Sequence, residues 1–428
     1  MKTMKMQGIG ILMIGMALGT AWAVRGQFGH EQGAAWAGGI GALALVLVSR
    51  REDWYQKALL IALASAVGWG MGGMISYGKI VGYGRADDFL NASYGLLMLF
   101  VIGGLYGLLG GGLTGLSLSS SKQKKVEWTA LIAEMAAGGL IAYYLLVHQL
   151  EIWMTPPRSE AWAVCLGGGA ALIWFMARHK HISALRVAFY SAIGAGFGFA
   201  FGNFLQILGN VLEIQFNMWN VMEYSIGFFG GSSMAYGVFS SRWPEESESV
   251  APKKWENRTA FLLVFVLIPL IVFQQSSSLS DPLFNRPATG SDPGKVTFIG
   301  SLAAFAVLAA MIRFSWSKSL SGEIRIGEKP VTRLFAGSFM AYILFSYLVS
   351  GAFSGVFLFN HHLYIVNFVL IIYLLSRRIP VSFKISQPEI NGQVWMKILI
   401  VSILLVFMLA LILINIHGEM TGSQLRFS

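Results

Sequence analysis

The chain is 428 residues long, 55% hydrophobic and only 12% charged, with a mean hydropathy of +0.62. A soluble globular protein carries roughly 25% charged residues, so a soluble domain is excluded, and so are disordered and fibrous chains. The net charge of +10 sits in short basic clusters between apolar stretches. That distribution points to membrane lipids as partners and argues against nucleic acid.

Hydropathy predicts an all-α polytopic integral membrane protein with about 13 transmembrane helices. The expected spans are 7–24, 33–49, 56–76, 90–118, 127–148, 161–178, 187–208, 219–240, 259–275, 295–313, 332–351, 361–376 and 396–416. The first carries a signal-like pattern: Lys2 and Lys5 precede an apolar run, and Ala21-Trp22-Ala23 has the small-x-small form of a cleavage site. Cleavage would leave 12 spans; a retained helix is favoured because the repeat described below needs one here.

The connecting segments alternate. Lys2 and Lys5, Arg50 and Arg51, Lys122 to Lys125, Arg178 to Arg186, Lys253 to Arg258, Arg313 to Arg333, and Arg377 to Lys384 mark one side. The other side is poor in basic residues and holds Glu31, Asp87, Asp88, Glu151, Glu160, Glu213, Asp281 and Asp292. Lys and Arg resist translocation, which places the amino terminus in the cytoplasm and the carboxyl terminus outside a bacterial-type inner (plasma) membrane.

A repeat is expected at an offset of 126 residues. Ala35-Trp36-Ala37 matches Ala161-Trp162-Ala163, the Gly68-x-Gly70-x-Gly72 stretch matches Gly194-x-Gly196-x-Gly198, and Asn91 matches Asn217. Four spans per copy make it a parallel repeat, not an inverted one. The expected organisation is a first four-helix repeat over 1–120, a second over 121–242, a cytoplasmic linker over 243–258 and a five-helix unit over 259–428. Only 11 of the 50 glycines follow residue 240. Within the repeats, Gly103, Gly107, Gly111 and Gly115 form one helical stripe, and Gly194, Gly198 and Gly202 another. Such stripes serve close helix packing, or a sliding interface between bundles. Gly72-Gly73 and Gly110 to Gly112 are candidate helix breaks at a binding site.

Nucleotide motifs fail on inspection. Gly73 to Lys79 fits seven positions of a P-loop, but Ile80 stands where Ser or Thr is needed. Cys165 is the single cysteine, and His361-His362 has no accompanying ligand pattern, so neither a metal site nor a cofactor is expected.

The polar residues left over carry the functional reading. Arg25, His30 and Glu31 crowd a short outer turn, with Lys79, Arg85, Asp87 and Asp88 in the next outer segment. Asp87-Asp88 reads as a helix cap, and Lys79 and Arg85 as complements to an anionic solute. Asn203, Gln206 and Glu223 fall inside the spans, and Glu134 lies two turns into its span with no basic residue there. The expectation is a solute transporter whose path runs through the Gly-rich repeats. Asn203, Gln206 and Glu223 line that path, Arg25, His30, Glu31 and Lys79 form its outer mouth, and Glu134 is the proton- or ion-coupling carboxylate. An alternative is a membrane-embedded enzyme acting at the outer leaflet on a lipid-linked or glycan substrate, with His30 as base, Glu31 orienting it and Arg25 or Lys79 holding an anion. A second alternative is an assembly subunit with no small-molecule site.

Overall fold

The computed structural model describes residues 2–26, 30–156, 159–277, 326–347, 359–379, 381, 383 and 391–427. Among these residues the chain is helical, with one isolated bridge between Ser121 and Ser249 and no strand. The first half comprises α1 (Lys2–Arg25), α2 (His30–Ser49), α3 (Glu52–Gln56), α4 (Ala58–Gly73), α5 (Gly78–Gly84) and α6 (Phe89–Ser119). Next come α7 (Trp128–Ala142), continued by a π-helix over Tyr143–Gln149, then α8 (Ala161–Arg178), α9 (Ile182–Val211) and α10 (Met218–Phe239). The last part holds α11 (Lys254–Leu262), a π-helix over Leu263–Leu267, α12 (Ile268–Ser277), α13 (Glu328–Tyr347), α14 (Phe359–Ser376) and α15 (Gly392–Ile416).

Among the described residues eight helices are long and apolar enough to cross a membrane, or nine when α4 and α5 count as one broken span. The other expected spans have no helix of that length and apolarity among the described residues. The span expected over 295–313 lies outside the described residues. The spans expected over 219–240, 332–351 and 361–376 correspond to α10, α13 and α14, which are more polar or shorter than the others, with residues 348–351 outside the described residues. For α10 the physical reason is its setting. It packs between α1 and α9, so its faces meet protein instead of lipid and tolerate Asn220, Glu223 and Ser225. By contrast α7 and α15 present long apolar faces outward, with Ile132, Ile141, Leu404 and Ile400 exposed.

The glycine stripes are packing surfaces. A Cβ on Gly103 or Gly107 of α6 would run into the carbonyls of Ala195 and Ser191 on α9, and one on Gly115 would lie 2.8 Å from Ala184 Cα. On α9, a Cβ at Gly198 would meet Ser225 O at 2.5 Å and one at Gly202 would meet Met222 O at 2.8 Å, both on α10. Gly227 and Gly231 of α10 then receive α1 at Leu18 O and Ile14 O, at 2.5 and 3.0 Å. The order of close contact is thus α6, α9, α10, α1. Backbones at this range gain dispersion contacts that larger residues would forbid.

The basic segments meet one another. Arg51 donates to Pro244 O at 2.5 Å, Lys57 to Ser120 O at 2.7 Å, Lys122 to Ser247 O at 3.0 Å and Lys124 to Lys180 O at 2.6 Å. Arg378 pairs with Glu328 at 3.1 Å. The acid-bearing segments meet at the other helix ends, where Asn220 donates to Ala23 O at 2.9 Å and Arg85 lies 5.5 Å from the Trp219 ring. The chain after α15 joins this second group: Gln424 N donates to Gly82 O at 3.1 Å, and Asn91 exchanges hydrogen bonds with the backbone of Phe427, both at 3.0 Å.

Candidate functional site

The site forms where one helix stops and another breaks. The glycine pair Gly72-Gly73 ends α4, residues 74–77 leave helical geometry, and α5 departs at 64° to α4. Glycine is the weakest helix residue apart from proline, and β-branched Ile75 adds to the interruption. The Gly110 to Gly112 run, in contrast, stays helical inside α6, because α9 and α4 pack around it. The break at α4 places Tyr77 against the end of α1 and the side of α10.

There Arg25 and Glu223 meet. Arg25 is the last residue of α1 and is 0% exposed, and Glu223, one turn into α10, is 4% exposed. Arg25 Nη2 lies 3.2 Å from Glu223 Oε2 and 3.5 Å from Oε1, and also donates to the Tyr77 hydroxyl at 3.3 Å. Tyr77 in turn donates to Glu223 Oε1. The guanidinium sits 4.8 Å from the Trp22 ring and 5.9 Å from that of Tyr77. Gly33 of α2 makes room for the Arg25 stem, since a Cβ there would stand 2.8 Å from Arg25 Cγ.

An aromatic shell closes around the pair. Trp22 meets Trp69 and Tyr106 at 5.1 and 5.5 Å, and Phe199 meets Tyr77 at 5.0 Å. The shell's polar tips are anchored on backbone carbonyls. Tyr106 donates to Ile75 O at 3.3 Å, Tyr342 to Gly33 O at 3.0 Å and Tyr364 to Ala23 O at 3.4 Å. Burying such a pair in an apolar surround costs more than its attraction returns unless every remaining bond is made. Its presence therefore asks for a reason beyond stability.

Asn203 and Gln206, one and two turns beyond Phe199 on α9, are 0% and 1% exposed and bond to each other at 3.0 Å. Asn203 Oδ1 and Gln206 Nε2 have no partner among the described residues. Exchanging O and N in both amides merely swaps which residue keeps the free acceptor and which the free donor. The pair packs on Gly84 at the end of α5, where a Cβ would collide with Asn203 Oδ1.

The other expected residues lie elsewhere. Glu134, which has no basic residue in its own span, pairs with Arg178 of α8 in a partly exposed setting, their side chains being 29% and 43% exposed. Arg178 stands at the end of its helix and reaches back, which hydropathy within a single span does not reveal. Arg25 is not part of an exposed turn but the buried end of α1. Glu31 is half-buried in the first turn of α2 and makes no ion pair among the described residues. His30 begins α2, and its side chain lies outside the described residues. Lys79 is half-buried in α5, two residues past Tyr77, in a segment expected to be a loop. Asp88 does cap α6, its carboxylate accepting from Asn91 N at 2.8 Å. No group of three or more His, Cys, Asp or Glu able to hold a metal occurs among the described residues.

Tyr77 is the residue sequence reading missed. It stood inside the rejected P-loop string, and its one signal was the glycine pair that breaks α4 just before it. Comparison with known protein families, curated proteins and solved structures finds no match, so the reading of the site rests on its own chemistry.

Proposed function

We propose that the chain is a solute transporter of a bacterial-type inner membrane, with the amino terminus cytoplasmic and the carboxyl terminus outside. The observation that carries this reading is the Arg25–Glu223 pair, wholly enclosed yet directly beneath exposed backbone. Gly26, the residue after Arg25, is exposed, and a Cβ on it would lie 3.5 Å from Glu223 Cγ. An intramembrane charge pair that adds little to stability belongs to a solute or ion pathway. Its partners come from α1, the broken α4–α5 and α10. A small change in the angle between these elements would open the pair, in the manner of transporters that bind at discontinuous helices.

In this account Glu223 takes the coupling role in place of Glu134. Asn203 and Gln206 continue the path along α9, and Lys79 stands at the outer end beside the α4–α5 break. An osmotic swelling assay tests the reading. Proteoliposomes shrunk in nitrate, methanesulfonate, phosphate, glycine or glycerol should re-swell faster than empty vesicles for at least one of these solutes. Arg25→Met should abolish the difference. Re-swelling at the empty-vesicle rate for every solute contradicts transport.

A further inference from the structure

We infer that Arg25, Tyr77 and Glu223 form a proton-gated anion site, at which a small, singly charged oxoanion binds Arg25 only as Glu223 takes up one proton. This rests on the transport reading above and names the class of solute and its coupling.

Charge balance is the first ground. The groups facing Glu223 are Arg25 from α1, Tyr77 from the α4–α5 break, Tyr106 from α6, Tyr342 from α13 and Tyr364 from α14. Among the described residues Arg25 is the one charged group in that set, and its charge balances that of the Glu223 carboxylate. An anion entering alone would leave an uncompensated charge in a low-dielectric interior, which is strongly unfavourable. A proton arriving on Glu223 with the anion restores neutrality.

Geometry is the second ground. One guanidinium nitrogen reaches both Glu223 oxygens, at 3.2 and 3.5 Å, longer than the roughly 2.7–2.9 Å of a tight charge-assisted bond. Tyr77 holds Oε1 more closely. Protonation at Oε2 leaves the Tyr77 bond to Oε1 in place. The new O–H then donates to one oxygen of the anion while Arg25 Nη2 donates to another. The proton comes from solvent, no covalent bond other than this O–H forms, and the site charge is unchanged.

The unused polar atoms are the third ground. Carbonyls on the elements that surround the pair are taken: Ala23 O accepts from Asn220 and Tyr364, Gly33 O from Tyr342 and Ile75 O from Tyr106. The indole N–H groups of Trp22 and Trp69 are buried with no acceptor among the described residues. A surround with donors to spare and its carbonyls occupied suits an oxoanion and would leave the ammonium of a zwitterion unsatisfied.

The test is direct binding to the purified, detergent-solubilised full chain in weakly buffered solution, with nitrate and methanesulfonate as probes and glycine as the zwitterion. Both anions stay ionised across the working pH range, so any proton taken up belongs to the protein. We expect one proton absorbed per anion bound, affinity falling about tenfold per pH unit of increase, and no binding of glycine. Glu223→Gln imitates the protonated carboxyl and should bind anion with no proton uptake and no pH slope. Arg25→Met should not bind. If either variant fails to fold, the wild-type proton stoichiometry decides alone. Anion binding without proton uptake, no binding of either oxoanion, or glycine binding would each overturn the inference. Coupled binding with no flux in vesicles would sink the transport reading and leave the site standing; flux of an anion or of glycine without proton uptake would do the reverse.

Discussion

At the residue scale, the two charges of the central pair are interdependent. Removing Arg25 leaves a buried carboxylate uncompensated, and removing Glu223 does the same to the guanidinium, at a cost of about 3–5 kcal/mol each. Arg25→Met with Glu223→Gln removes both charges together. Thermal unfolding in detergent should show each single variant strongly destabilised and the double variant recovering most of the loss; additive losses would mean the charges act independently. A different residue sets acid sensitivity. His181 lies in the turn between α8 and α9, with Nδ1 3.0 Å from Ser119 Oγ. Burial first, then the nearby Lys124 and His179, pushes its imidazole down to about 4. The unfolded chain binds that proton near pH 6.5, so His181 contributes stability that is fully present above that pH and is lost as pH falls towards about 4. His181→Asn should flatten the unfolding midpoint over that window; an unchanged slope would clear His181 of the role.

At the element scale, close backbone approach holds the core, and glycine position decides the effect of a substitution. A Cβ on Gly107 would strike the Ser191 carbonyl, whereas one on Gly104, three residues earlier, would find Ala192 O at 3.7 Å, an ordinary contact. Gly107→Ala should lower the unfolding midpoint by forcing α6 from α9. Gly104→Ala should be neutral or gain up to about 1 kcal/mol from helix propensity. Equal effects would show that the stripe is not a contact surface. Helices such as α1, α2, α6, α8, α9 and α15 were legible because a long apolar run has few other solutions. Other features depend on partners distant in the chain. The break before Tyr77 was visible only as a glycine pair indistinguishable in sequence from Gly110 to Gly112, which stays helical. Arg25 read as part of a short outer turn with His30 and Glu31, because its partner lies 198 residues later in α10. Glu134 looked isolated for the same reason, Arg178 being 44 residues away.

At the scale of the whole molecule, the charge read first as missing is organised into two faces. Basic segments assigned to one side by alternation do touch: the segments around Arg51, Lys57, Lys122 and Lys124 bond to residues 120, 180 and 244–247. The segment after α15 closes on the opposite end of the bundle, at Gly82 and Asn91. The Arg25–Glu223 pair lies towards this second end, one residue below exposed Gly26. The central claim is that this pair takes up a proton together with an anion during transport. The most direct measurement is lumenal pH in proteoliposomes loaded with a pH-sensitive dye and given an inward nitrate gradient. Wild-type protein should acidify the lumen as nitrate enters, and Glu223→Gln should admit nitrate with no acidification. Equal acidification by both, or nitrate entry through the wild type at constant lumenal pH, would contradict the account.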